Sequence, residues 1–334
     1  MTLPLDTKLE FGLMTVHRRT EPADQPWLPS QDDARAFVGQ ADRLGYDSLW
    51  VGDHIAFSIS ILDPLLQLAQ AAAYSPRLGL GTAVYLLPLR HPTPVAKMVA
   101  TLDHLCEGRL TFGVGVGGEF PVEYAACGVP VAERGARLSE AIPLLKRLWT
   151  GEPVTSEGRF YPFPEVRLSP PARQPGGPPI WCGGRSEAAL GRAARLADGW
   201  VSYVVTPDMY RDALDTIAGA AEAAGRKLER YGTGHLLFAR IDRSYEQALD
   251  SAAESLSVRY AMDFRKPAAK YAALGSPADV AARIAEFHAA GVRQIIVDLV
   301  GPYEDRDIQI ERFATEVRPL LADIAGSTPT VSTN

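Results

Sequence analysis

The sequence predicts a closed (β/α)8 barrel, the TIM barrel of the α/β class, with insertion loops at its C-terminal face. Three observations lead there. Eight short apolar runs recur along the 334 residues, amphipathic patterns of helical spacing separate most of them, and residues 78–117 hold one complete strand-helix-strand unit. Parallel strands need a long crossover between them, and alternation repeated eight times closes a sheet on itself.

Taken in order, the expected strands are 11–16, 48–52, 78–84, 110–116, 179–183, 199–203, 235–241 and 294–299. The expected helices are 33–44, 63–74, 94–106, 134–149, 187–196, 209–224, 245–260 and 278–289. The helix before the last strand carries its own start signal, Ser276-Pro277-Ala278-Asp279: a capping serine, proline at the first helical position and an acid in the first turn. Gly291 then ends it. The proline-rich stretch 151–178 has no helical period and reads as an insertion between the fourth helix and the fifth strand. Its aromatic group Phe160, Tyr161 and Phe163 either covers an apolar substrate or packs the insertion, and packing is the reading adopted. A second excursion, 260–275, is expected near the mouth of the site. The whole reads as one domain over 1–326, followed by a small, polar tail at 327–334 that is expected to fray.

Composition narrows the function classes. A hydrophobic fraction of 46% with 22% charged residues suits a globular domain, and the net charge of −6 with scattered Lys and Arg gives no footprint for nucleic acid. No run of about 20 apolar residues points to a membrane span, so a cytoplasmic protein acting on a small molecule is expected. Three widely spaced cysteines, Cys106, Cys127 and Cys182, form no CxxC pair, and the histidines show no H-E-x-x-H spacing; no metal is expected.

In such a barrel the chemistry sits where strands end. The second strand ends in Asp53-His54, a carboxylate and an imidazole at the mouth where a cofactor ring would sit. Imidazole exchanges a proton near neutral pH, though a lone histidine is more commonly a surface or capping residue. His17 follows the first strand and is a substrate-pocket candidate, whereas His91, between Arg90 and Pro92 at a helix start, reads as structural. The fourth strand runs into a glycine-rich end, also holding Gly117, in which Gly113, Gly115 and Gly118 satisfy G-x-G-x-x-G. Pro121 interrupts the helix a dinucleotide turn requires, so Gly115 and Gly117 are read as letting a cofactor approach the backbone. After the fifth strand, Gly183, Gly184, Arg185 and Ser186 precede a helix. They read either as an anion cradle or as an ordinary glycine turn with a serine cap.

These segments together, "LGT" with "LPLRHP", "GRLTFGVGVG", "WVGDH" and "PPIWCGGRSEAALGRAARLADGW", resemble the luciferase-like monooxygenases, a superfamily of flavin- and deazaflavin-dependent oxidoreductases, over about residues 9–324. The resemblance implies that His54 is an active-site base or ring-contacting group and that Glu119 is a proton donor. It implies a cis peptide at Ala83-Val84 backing the cofactor ring, and a phosphate loop at Gly183 to Ser186. The wording is most similar to the branch that uses coenzyme F420, implying hydride transfer between F420 and a small organic substrate, with homodimerisation. Reduced FMN with oxygen, in a monooxygenase, is the alternative; a non-catalytic flavin-binding barrel is a third reading.

Overall fold

The computed structural model describes residues 3–15, 29–57, 60–118 and 120–325. The first half of the barrel is built from β1 (Glu10–Met14), α1 (Gln31–Arg43), β2 (Ser48–Val51), α2 (Pro64–Tyr74), β3 (Gly79–Thr82), α3 (Pro92–Leu105) and β4 (Leu110–Val114). Next come α4 (Pro121–Ala126), α5 (Arg134–Trp149) and the hairpin β5 (Val154–Ser156) with β6 (Phe163–Val166). The second half follows with β7 (Ile180–Gly183), α6 (Glu187–Leu196), β8 (Gly199–Tyr203), α7 (Pro207–Ala223) and β9 (Gly232–Ile241). It closes with α8 (Tyr245–Tyr260), α9 (Arg265–Tyr271), β10 (Ala273–Gly275), α10 (Pro277–Ala289), β11 (Gln294–Leu299) and α11 (Arg306–Arg312).

Eight strands, β1, β2, β3, β4, β7, β8, β9 and β11, pair in parallel, and the β8–β9 and β11–β1 pairings close the ring. The short β10 joins the upper end of β9, on the edge that β8 occupies lower down. Local chemistry agrees with the map: Ser276 caps α10 in a capping box with Asp279, and Ser30, Asp63, Ser186, Thr206 and Ser244 cap other helices. Each such cap is worth about 1 kcal/mol. His91 is the N-cap of α3, its Nδ1 accepting from the Thr93 N–H at 3.2 Å.

Two indoles plug the barrel's interior. Trp50 and Trp181 lie 5.5 Å apart, packed with Met14, Val201 and Ile296. They fit because the strands around them carry glycine: a Cβ at Gly12, Gly81, Gly199 or Gly232 would run into one ring or the other. The larger core lies between this ring of strands and the helices.

The insertion departs from its expected place. It follows α5, whose end lies at the N-terminal face, and its hairpin packs outside the barrel. Glu140 accepts from the Phe160 and Tyr161 N–H groups, His104 meets the Pro171 carbonyl, and Gln174 donates to Asp103. No residue of 151–178 lines the cleft at the strands' carboxyl ends. Packing, not cover, is the role of the Phe160, Tyr161 and Phe163 cluster, with Arg137 over the first two rings. The excursions on the C-terminal face are instead the segment after β4 and the segment after β9. The tail from residue 327 lies outside the described residues.

Candidate active site

A cleft of about 500 Å³ opens at the carboxyl ends of the strands, within the range of small-molecule and cofactor sites. Its wall brings together Asp53, His54, Ala83, Val84, Gly115, Gly117, Gly183, Gly184, Arg185 and Ser186. They stand at or just beyond the ends of four strands, β2, β3, β4 and β7, which is why residues so far apart in sequence meet. His17 and Glu119 lie outside the described residues.

His54 is held from an element the sequence reading passed over. Its Nδ1 lies 3.0 Å from Oε2 of Glu123, a carboxylate only 1% exposed in the first turn of α4. The other oxygen, Oε1, accepts from the Ile55 and Ala56 N–H groups at 2.6 and 3.1 Å. An ionised carboxylate only accepts, so the network assigns the ring proton to Nδ1 and leaves Nε2 as the basic nitrogen. The ring stacks on Phe57 at 3.9 Å and meets Phe120 edge-on at 5.6 Å, which fixes its plane.

Asp53 plays a different part from its neighbour. Its buried carboxylate accepts from the Leu86 N–H at 2.9 Å and from Arg90 through Nη1 at 2.5 Å and Nη2 at 2.9 Å. The pair ties the end of β2 to the turn after β3, and desolvation of Arg90 is outweighed by this hydrogen bond, so the guanidinium pKa is raised.

The wall between β3 and β4 is shaped by small residues. The Ala83-Val84 peptide bond is cis. Val84 fits against Gly115 and Gly183, where any Cβ would collide with its methyl groups, and a Cβ at Gly113 would overlap the Thr82 carbonyl. Continuing the same wall, Gly184 has φ +106°, a conformation costly for side-chain-bearing residues, and its carbonyl accepts from Trp200 Nε1 at 2.7 Å. Ser186 caps α6, and Arg185 is anchored by donating to the Val204 carbonyl at 2.7 Å. The outcome is a cationic, helix-N-terminal corner facing an otherwise largely apolar cleft.

Three further wall residues escaped the sequence reading. Asp298, 2% exposed, is the penultimate residue of β11 and pairs with Arg259 at 2.6 Å; an acid inside the apolar run "QIIVDL" was the available signal. Tyr260 follows Arg259 at the end of α8, and Arg134 opens α5 with its Nη1 donating to the Val131 carbonyl at 2.8 Å. Cys182, beside the cleft, is buried, and its thiol pKa is pushed up to about 12 by desolvation, which makes it a poor nucleophile. Among the described residues no group of three or more His, Cys, Asp or Glu could hold a metal ion, and no helix is long and apolar enough to cross a membrane.

A family model described as luciferase-like monooxygenase matches residues 9–294. The chain is 33% identical over 249 residues to 4-hydroxyprotoasukamycin monooxygenase of Streptomyces nodosus subsp. asukaensis, covering 71% of this chain and 64% of that enzyme. It is 28% identical over 315 residues to F420-dependent glucose-6-phosphate dehydrogenase of Kineococcus radiotolerans, covering 85% of this chain and 91% of that one. The crystal structure of a monooxygenase from Streptomyces bottropensis superposes with a TM-score of 0.79 at 25% identity, covering 93% of this chain and 99% of that one.

Proposed function

Since the chain belongs to the luciferase-like monooxygenase family, we propose that it is an oxidoreductase moving a hydride between coenzyme F420 and an alcohol or carbonyl group of a small organic substrate. The observation that carries this reading is the His54–Glu123 pair on the cleft wall. Oxidation of an alcohol needs a base at the hydroxyl proton, and reduction of a carbonyl needs that proton returned. Nε2 of His54, with Nδ1 fixed by Glu123, can do both without the ring turning.

The residues present fit such a cofactor. Val84 packs directly against Gly115 and Gly183, and these three together give the cleft a low wall without bulky side chains, suited to the approach of a flat ring. Gly183, Gly184, Arg185 and Ser186 would hold a phosphate, helped by the N-terminal charge of α6. When bound, the deazaflavin supplies the two-electron hydride donor or acceptor. The protein's share is to hold the substrate oxygen near His54, keep water from the cleft with Phe57, Leu86, Val116 and Val201, and move one proton at Nε2.

A second reading, an FMN-dependent monooxygenase, draws on the 33% identity with a monooxygenase. Anaerobic turnover separates the two. Reduction of F420 by small alcohols, lost in His54→Ala, is the expected result. Oxygen consumption with reduced FMN and no anaerobic F420 reduction with any alcohol tried would favour the second reading. Unchanged turnover in His54→Ala would remove His54 from the mechanism.

A further inference from the structure

Beside the cleft, under the loop that follows β11, lies a second chamber of about 30 Å³, room for two waters or one compact anion. Thr15, Arg240, Arg259, Asp298, Gly301 and Arg306 are among the residues lining it. Three guanidinium groups therefore converge on a space whose lining carboxylate, Asp298, is engaged by Arg259 at 2.6 and 3.4 Å. Arg306 is occupied by Asp307 and the Tyr303 hydroxyl.

Arg240 is different. It is 7% exposed; its Nη2 donates to Asp305 at 2.6 Å and lies 3.5 Å from Asp242, while Nε and Nη1 are buried and meet no acceptor among the described residues. Gly301 lets the group lie close to the chain, since a Cβ there would stand 2.5 Å from Nη1. Buried guanidinium N–H groups without an acceptor are costly and rare in folded proteins, so the chamber calls for an occupant that accepts. A water would accept from Arg240 and place its own protons on lining oxygens such as those of Asp298 or Thr15, leaving the excess of guanidinium groups around the chamber unaltered. A halide-sized anion only accepts. Asp298 faces it across the chamber, but its charge is already offset by Arg259.

We propose that this chamber is a binding site for a compact monoanion of halide size, held by Nε and Nη1 of Arg240. Because Asp298 lines both the chamber and the cleft, the anion sits one side chain away from the candidate active site.

Crystals of the full chain soaked in sodium bromide give the direct test. An anomalous peak within hydrogen-bonding reach of Arg240 Nε or Nη1 is expected; water or a protein group there, with no anomalous signal, overturns the proposal. In solution, sodium bromide should raise the unfolding midpoint logarithmically with concentration above its dissociation constant, by about 2 °C at ten times that constant. The reference is sodium gluconate at matched ionic strength, and Arg240→Gln should abolish the difference. An equal response to both salts in the native protein also overturns the site. Should Arg240→Gln fail to fold, the bromide map of the native protein decides alone.

Discussion

In the proposed reaction His54 works with a partner 69 residues further along the chain, a pairing that would set its chemistry. In Glu123→Gln the amide can keep an oxygen on the Ile55 and Ala56 N–H groups but turns its NH2 towards Nδ1. The ring must then carry its proton on Nε2 and stops being a base. A fall in kcat of about 10² to 10⁴ is expected, with loss of the limb of the pH profile that reports the imidazole. A native profile would leave Glu123 with a structural role only. Arg90→Met tests the neighbouring pair: stranding the buried Asp53 carboxylate should cost about 3–5 kcal/mol in urea unfolding, and a loss below about 1 kcal/mol would show that Asp53 does not depend on Arg90. His54 was legible because it ends an apolar strand. Glu123 was not, because it reaches the site from a separate helix too short to show a regular apolar spacing. The Arg90 partner of Asp53 was equally hidden, since only the fold brings the turn after β3 against the end of β2.

At the scale of elements, the helix and strand pattern was readable wherever apolar spacing was regular; α5, α6 and α8 have the expected bounds. It was less readable where packing overrides propensity. β9 begins at Gly232, not 235, because the stretch "GTG" leaves room for the indole of Trp181. The β5–β6 hairpin was hidden by prolines, which its edge strands tolerate. Gly113→Ala tests the close passage of β3 and β4: the new methyl meets the Thr82 backbone carbonyl, which a rotamer change cannot relieve. A loss of about 1–3 kcal/mol or more is expected from chemical denaturation. Native stability would mean that the two strands can separate freely at this point.

The barrel as a whole also carries a pH dependence set by one buried histidine. His235, on β9, is fully buried against Phe287 with Nδ1 2.8 Å from the Ser202 hydroxyl; burial first, then the charge of Arg283, lowers its pKa from 6.5 to about 3. Above pH 6.5 native and unfolded chains both hold it neutral. As the pH falls from 6.5 towards 3 the unfolded chain takes up a proton the native one refuses, so stability declines, by up to about 1.4 kcal/mol per pH unit. His235→Gln should flatten that acid limb in unfolding midpoints measured against pH; an unchanged slope would assign the limb to other groups. Ring closure itself was legible from the eightfold alternation, but the place of the insertion was not, because sequence order alone does not say which end of the barrel a proline-rich segment folds against. What the whole molecule offers a ligand is a cleft walled by glycine-rich strand ends with a cationic corner at Arg185. Equilibrium titration of the purified protein with F420 and, separately, with FMN tests that reading most directly. Saturable F420 binding, weakened about tenfold in Arg185→Met as loss of one charged hydrogen bond implies, is the expected result. Tight FMN binding with no response to F420 would contradict it.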